Sequence, residues 1–155
     1  MAKDRVTSER HTEILNAIRD GAEKDLKKGA THHLALQGLD GWAYGRAWVT
    51  WTIDDRFRNS DGSLFGGYLA AMADRIVSMA TLAALEHSDE RFRTTRLETS
   101  FWRPVFGTTL KAEGRVVNKS RRLIHVEADF LTQEGKIAAR STAVQIYTKG
   151  EGAKD

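Results

Sequence analysis

The chain has 155 residues, enough for one domain on a single core, and its 29% charged and 41% hydrophobic content is that of an ordinary globular protein. Lys and Arg exceed Asp and Glu by 24 to 21, too small a surplus to argue for a nucleic-acid partner, although a local basic patch can still hold a phosphate. The absence of cysteine excludes disulfides, thiolate metal sites and cysteine nucleophiles.

The opening MAKDRVTSER is charged and has no signal-peptide apolar stretch. No later apolar run approaches the roughly 20 residues of a membrane span. A cytoplasmic enzyme or binding module with no membrane partner is expected. Residues 7–28 read as a helix: Ile14, Leu15, Ile18, Ala22 and Leu26 recur near helical spacing, Thr7 or Ser8 caps the start, and Gly29 stops it. Residues 31–41 read as a connection, and the aromatic and β-branched run 42–53 as one strand. A polar loop, 54–62, precedes a long helix over 66–85. This helix carries an apolar stripe of Leu69, Ala73, Ile76, Val77, Ala80 and Ala84, and its many alanines suit close packing on a sheet.

Four strands follow. The first, 93–103, is stopped by Pro104, and the second covers 109–117. A turn at 118–121 leads to 122–132, where Ile124, Val126, Ala128 and Phe130 alternate with His125, Glu127 and Asp129, the pattern of a half-buried antiparallel strand. A tight turn at 133–135 leads to 136–147, and 149–155 reads as a flexible tail. The expected class is α+β: about five antiparallel strands, the last four a meander, curved around one long helix. Residues 1–30 form a helical extension and 31–148 the main domain.

The chemistry concentrates between Asn59 and Asp74. A polar loop ends in Gly66-Gly67, where a helix begins. Backbone N–H groups at a helix start lack partners and carry partial positive charge, and Gly66 has no side chain to block a docking carbonyl oxygen. That is the chemistry of an oxyanion hole. Asp74 interrupts an apolar stretch, where a charge is costly without a partner or a role.

The spacing of Asn59, Gly66-Gly67 and Asp74, with residues 94–104 and the later Glu113-Gly114-Arg115-Val116, resembles the hotdog-fold thioesterases of the phenylacetate-pathway type. The resemblance spans residues 42–147. It implies a hotdog fold and hydrolysis of an acyl-CoA or related thioester, with no cofactor beyond the coenzyme A of the substrate. It implies that the Gly66 N–H polarises the carbonyl and that Asn59 helps hold its oxygen. Asp74 acts as general base or nucleophile, and Thr94, with Thr95 as the fallback, holds the water. The family commonly has His before the two glycines; here Phe65 stands there and donates no hydrogen bond. Phe65 and Gly67 then adjoin the substrate. The alternative that Phe65 favours is a hotdog protein that binds an acyl-CoA or aromatic ligand without cleaving it. A hotdog dehydratase ranks lower, since it needs a His–acid pair.

Gly66 and Asp74 stand eight residues apart on one helix, about 12 Å at 1.5 Å per residue. One thioester cannot meet both within a single chain. A symmetric homodimer joins Gly66 and Asn59 of one subunit to Asp74 and Thr94 of the other, with a dimer of dimers as the larger assembly open to it.

Each residue also has a plainer reading. Asp74 can pair with Arg75 or Arg103, Gly66-Gly67 can serve packing, and Asn59 can shape a turn. Lys119, Arg121 and Arg122 are either a solvated hairpin or a clamp for the phosphates of coenzyme A. His32-His33 lack a third ligand at recognisable spacing, so no metal site is expected. Trp102 reads as a packing residue.

Overall fold

The computed structural model describes residues 4–149, so most of the tail expected over 149–155 lies outside the described residues. Helix α1, Glu9–Arg19, starts where Ser8 accepts a hydrogen bond from His11 N–H, the capping expected of a serine. It stops nine residues before the expected end. Gly21 takes a φ of 97°, a left-handed conformation that ends the helix. The chain then turns so that Glu23 reaches Arg75 at 2.6 Å. Helix α2, Gly29–His33, occupies part of the expected connection and straddles the boundary set at residue 30.

The expected single strand over 42–53 is a hairpin. Strands β1, Gly41–Ala43, and β2, Arg46–Thr52, pair through Tyr44-Gly45, with Gly45 at φ 67°. A short 3-10 turn, Asp55–Phe57, lies in the following loop. Helix α3, Gly66–Leu82, ends slightly before the expected 85. Its stripe of Leu69, Met72, Ala73, Ile76, Val77 and Ala80 is buried against the sheet. A Cβ on Gly114 would stand 2.8 Å from the Ile76 carbonyl oxygen, so this glycine sets how closely α3 lies on the sheet.

Strands β3, Arg91–Phe101, β4, Thr109–Lys119, β5, Leu123–Leu131, and β6, Ile137–Thr148, complete one antiparallel sheet of six strands, not five, ordered β1-β2-β4-β5-β6-β3. The β5 alternation is as read: Ile124, Val126, Ala128 and Phe130 are all at most 1% exposed. The four-strand meander is corrected. Only β4-β5-β6 meander, and β3 pairs with β6 at the far edge. Pro104 and the segment after it carry the chain back across the sheet to β4, a step that strand lengths do not encode. The turn expected at 118–121 falls at 120–122, because β4 runs on through Lys119 past a bulge near Val117. No helix among the described residues is long and apolar enough to cross a membrane.

Candidate active site

The start of α3 is held by its loop. Leu64 N–H donates to Val105 O and Phe65 N–H to Phe57 O, both at 2.8 Å. Arg58 donates to the carbonyls of Gly62 and Gly107, at 3.0 and 2.8 Å. Asn59 Nδ2 donates within the loop to Ser63 Oγ at 3.0 Å, the turn-shaping role. Phe65 is the N-cap and supplies no side-chain acceptor. No acceptor among the described residues meets the Gly66 N–H, so the helix presents an open donor. The Phe101 ring of β3 stands beside it, 3.4 Å from where a Gly66 Cβ would lie. A cleft of about 360 Å³ lies here, lined by Gly66, Leu69, Phe101 and Trp102. Phe65, Phe101, Trp102 and Phe106 are all more than half exposed, so Trp102 is a surface aromatic and not the packing residue expected. Gly67 is exposed beside Phe65.

Two turns along α3, Asp74 is exposed and accepts from Thr94 Oγ1 at 3.2 Å. The pairing partners considered for Asp74 are engaged elsewhere: Arg75 with Glu23, and Arg103 with Ile137 O at 2.9 Å. Behind Thr94, Gln145 of β6 donates Nε2 to Thr94 Oγ1 at 3.1 Å, and Thr81 of α3 donates to Gln145 Oε1. Gln145 and Thr81 are both fully buried. They escape a sequence reading, although Gln145 leaves a trace as a polar residue in the inward set Ala143, Gln145, Tyr147.

A β-bulge separates the surroundings of Thr94 from those of Thr95. Thr94 pairs with Gln145 and Arg96 with Val144, so Thr95 is the extra residue. Its hydroxyl donates back to Val144 O at 3.0 Å. The bulge also shifts the inward phase of β3 from Phe92 and Thr94 to Leu97 and Thr99.

The basic trio lies near the opposite end of α3. Lys119 is a β4 residue, its side chain 8% exposed. It donates to Ala84 O at 2.8 Å and stands 3.7 Å from the carboxylates of Glu86 and Glu90. This cation complements the helix C-terminus. Arg121 and Arg122 are exposed in the adjoining turn.

Residues 61–139, about half of the chain, match the thioesterase superfamily, and the chain belongs to that family. A thioesterase from Haemophilus influenzae has the same fold, with a TM-score of 0.76, 20% identity, and coverage of 88% of this chain and 94% of that one. A phenylacetic acid degradation-related protein from Ralstonia eutropha JMP134 superposes with a TM-score of 0.72 at 24% identity, covering 88% and 98%. A hypothetical thioesterase protein from Streptococcus pneumoniae TIGR4, solved with coenzyme A, gives 0.65 at 20% identity, covering 72% and 85%. The six-stranded antiparallel sheet around α3 is the hotdog fold of these thioesterases.

Proposed function

We propose that the protein hydrolyses acyl-CoA thioesters at a site shared by two subunits. One relationship carries the reading. On the edge strand β3, Thr94 stands beside Asp74 and Phe101 stands beside Gly66. The outer edge of β3 has no strand partner among the described residues. Antiparallel pairing of β3 with a second copy about the middle of residues 94–101 sets Thr94 of one copy opposite Phe101 of the other. That places Asp74 of one subunit near Gly66 of its partner and answers the roughly 12 Å separation within one chain. Such pairing also covers an 11-residue open strand edge.

In this mechanism Asp74 takes a proton from a water held by Thr94, and the water oxygen attacks the thioester carbonyl carbon. The Gly66 N–H of the other subunit stabilises the tetrahedral oxyanion. Collapse breaks the C–S bond, and the thiolate receives the proton from Asp74, so thioester and water become acid and thiol. The protein residues suffice for these steps, and no metal or redox cofactor is invoked. The bonds that Asn59 makes within its loop favour a positioning role for the Gly66 turn over direct contact. The coenzyme A on the Streptococcus pneumoniae protein supports that carrier. Arg121 and Arg122, exposed in the turn after β4, are the proposed phosphate contacts together with Lys119, which Glu86 and Glu90 hold in place. The fold and the acyl-CoA chemistry together fit a cytoplasmic enzyme.

A panel of acyl-CoAs with a thiol-trapping dye tests this. Turnover that Asp74→Asn abolishes is expected; an Asp74→Asn variant as active as the wild type overturns it. Phe65 favours a second reading, ligand binding without cleavage. Thermal stabilisation by an acyl-CoA with no thiol released would select it.

A further inference from the structure

We propose that the cavity running along α3 from Asp74 is the acyl chamber, that it takes a straight acyl chain of the hexanoyl to decanoyl class, and that Ile14 of α1 sets the length. This rests on the thioesterase reading above. The cavity, about 430 Å³, is lined by Ile14, Leu82, Leu85 and Phe92, with Asp74 and Thr94 at one end. Asp74, Ser78 and Leu82 follow one another at i, i+4 spacing, so one face of α3 forms its floor over about 12 Å. A straight acyl chain advances by a little more than an ångström per carbon, which gives the class of chain that fits.

The apolar side chains of the wall, Ile14, Leu82, Leu85 and Phe92, suit a hydrocarbon chain. Three arginines also line the cavity, yet each guanidinium donates to a main-chain carbonyl: Arg10 and Arg91 to Ser88 O at 3.4 and 3.1 Å, and Arg93 to Phe92 O at 2.8 Å. Their methylene stems can pack against a ligand, while the exposed guanidinium groups keep further donors at the rim of the cavity. Buried His11 and Glu90 also line the cavity. His11 Nδ1 lies 2.6 Å from Ser8 Oγ, and the Glu90 carboxylate accepts from Glu86 and His87 N–H at 2.8 and 3.2 Å.

Helix α1 is fixed over this cavity. Ser8 N–H donates to Leu85 O at 2.8 Å, Thr7 Oγ1 to Ala83 O at 2.6 Å, and Trp42 Nε1 to Asn16 Oδ1 at 3.0 Å. Leu15 and Ile18 are buried beneath α1, whereas Ile14 is 37% exposed, facing the cavity without being locked into the core. Its substitution changes the chamber and leaves the packing of α1 in place.

The test is kcat/KM for straight-chain acyl-CoAs from acetyl to palmitoyl, measured for the wild type, Ile14→Trp and Ile14→Ala, with Leu82→Phe as a second filling variant. The wild-type optimum is expected between hexanoyl and decanoyl. In Ile14→Trp the ratio of kcat/KM for decanoyl-CoA to that for butyryl-CoA falls about tenfold, the equivalent of losing two buried methylenes. In Ile14→Ala the optimum moves to longer chains. Identical profiles in all four proteins overturn the chamber, even if Asp74→Asn is inactive. If the wild type turns over no acyl-CoA, the hydrolase reading fails and melting temperature decides the chamber. Stabilisation by decanoyl-CoA in the wild type but not in Ile14→Trp supports it, and equal shifts overturn it.

Discussion

The side-chain amide of Gln145 donates to the hydroxyl of Thr94 at 3.1 Å, and this bond decides where the Thr94 proton points. The oxygen of Thr94 is already accepting, so its own hydrogen goes to Asp74 Oδ1. Thr81 fixes the amide in turn by donating to its oxygen. The order Thr81 to Gln145 to Thr94 to Asp74 is therefore directional. Gln145→Leu should leave the Thr81 hydroxyl buried without an acceptor, at about 1–3 kcal/mol. The double variant Thr81→Val/Gln145→Leu replaces both partners with apolar groups and should recover most of that stability in urea denaturation. It should not recover kcat, because Thr94 is still released. Recovery of both would reduce the chain of bonds to packing.

A shared site makes inactive variants complementary. Asp74→Asn and Gly66→Val should each lose at least a hundredfold in kcat, one through the base and the other through the oxyanion donor. Equal mixing with subunit exchange should restore about one quarter of wild-type activity, because about half the dimers are mixed and each has one intact site. Zero recovery, with exchange verified by mass spectrometry, would place the whole site in one chain.

Glu23 and Arg75 join the turn after α1 to the residue next to Asp74, with side chains 12% and 14% exposed. Glu23→Gln strands a largely buried guanidinium and should cost about 3 kcal/mol in chemical denaturation. The pair Arg19–Asp20 is 43% and 65% exposed, and Asp20→Asn should be indistinguishable from wild type.

Burial, aided by Arg10 and Arg91, holds His11 below its ordinary pKa of 6.5. The unfolded chain then binds the proton more readily than the folded one. The contribution of neutral His11 is complete above about pH 6.5 and is lost as pH falls through its lower folded value. Between about pH 7 and pH 5 the wild type should therefore lose more stability than His11→Asn. Carboxylates such as Asp129, whose pairing with Arg140 and Arg115 outweighs the effect of burial, titrate in both proteins and cancel in the comparison. Parallel stability curves would remove His11 from the acid response.

Local periodicity made much of the molecule legible. The apolar stripe of α3, the alternation in β5 and the Gly66 to Asp74 spacing depend on neighbours a few residues apart. They give the central helix, the half-buried sheet and the roughly 12 Å between Gly66 and Asp74. The end of α1 at Arg19 was less legible, because the pattern Ala22, Leu26 still looks helical; Gly21 and the pull of Arg75 on Glu23 override it.

What only the tertiary structure decided comes from pairings between distant residues. The place of β3 beside β6 turns Thr94–Phe101 into an open edge, which no strand pattern states. The bulge at Thr95 leaves Thr94 beside Asp74, because one extra residue reverses the face of everything after it. Gln145 joins the site from 51 positions away, and α1 roofs the cavity beside Asp74. The sequence by itself determined which residues are candidates for chemistry and how far apart they lie along one helix. Which of them meet was decided by register and long-range hydrogen bonds, properties of residue pairs that no local spacing carries.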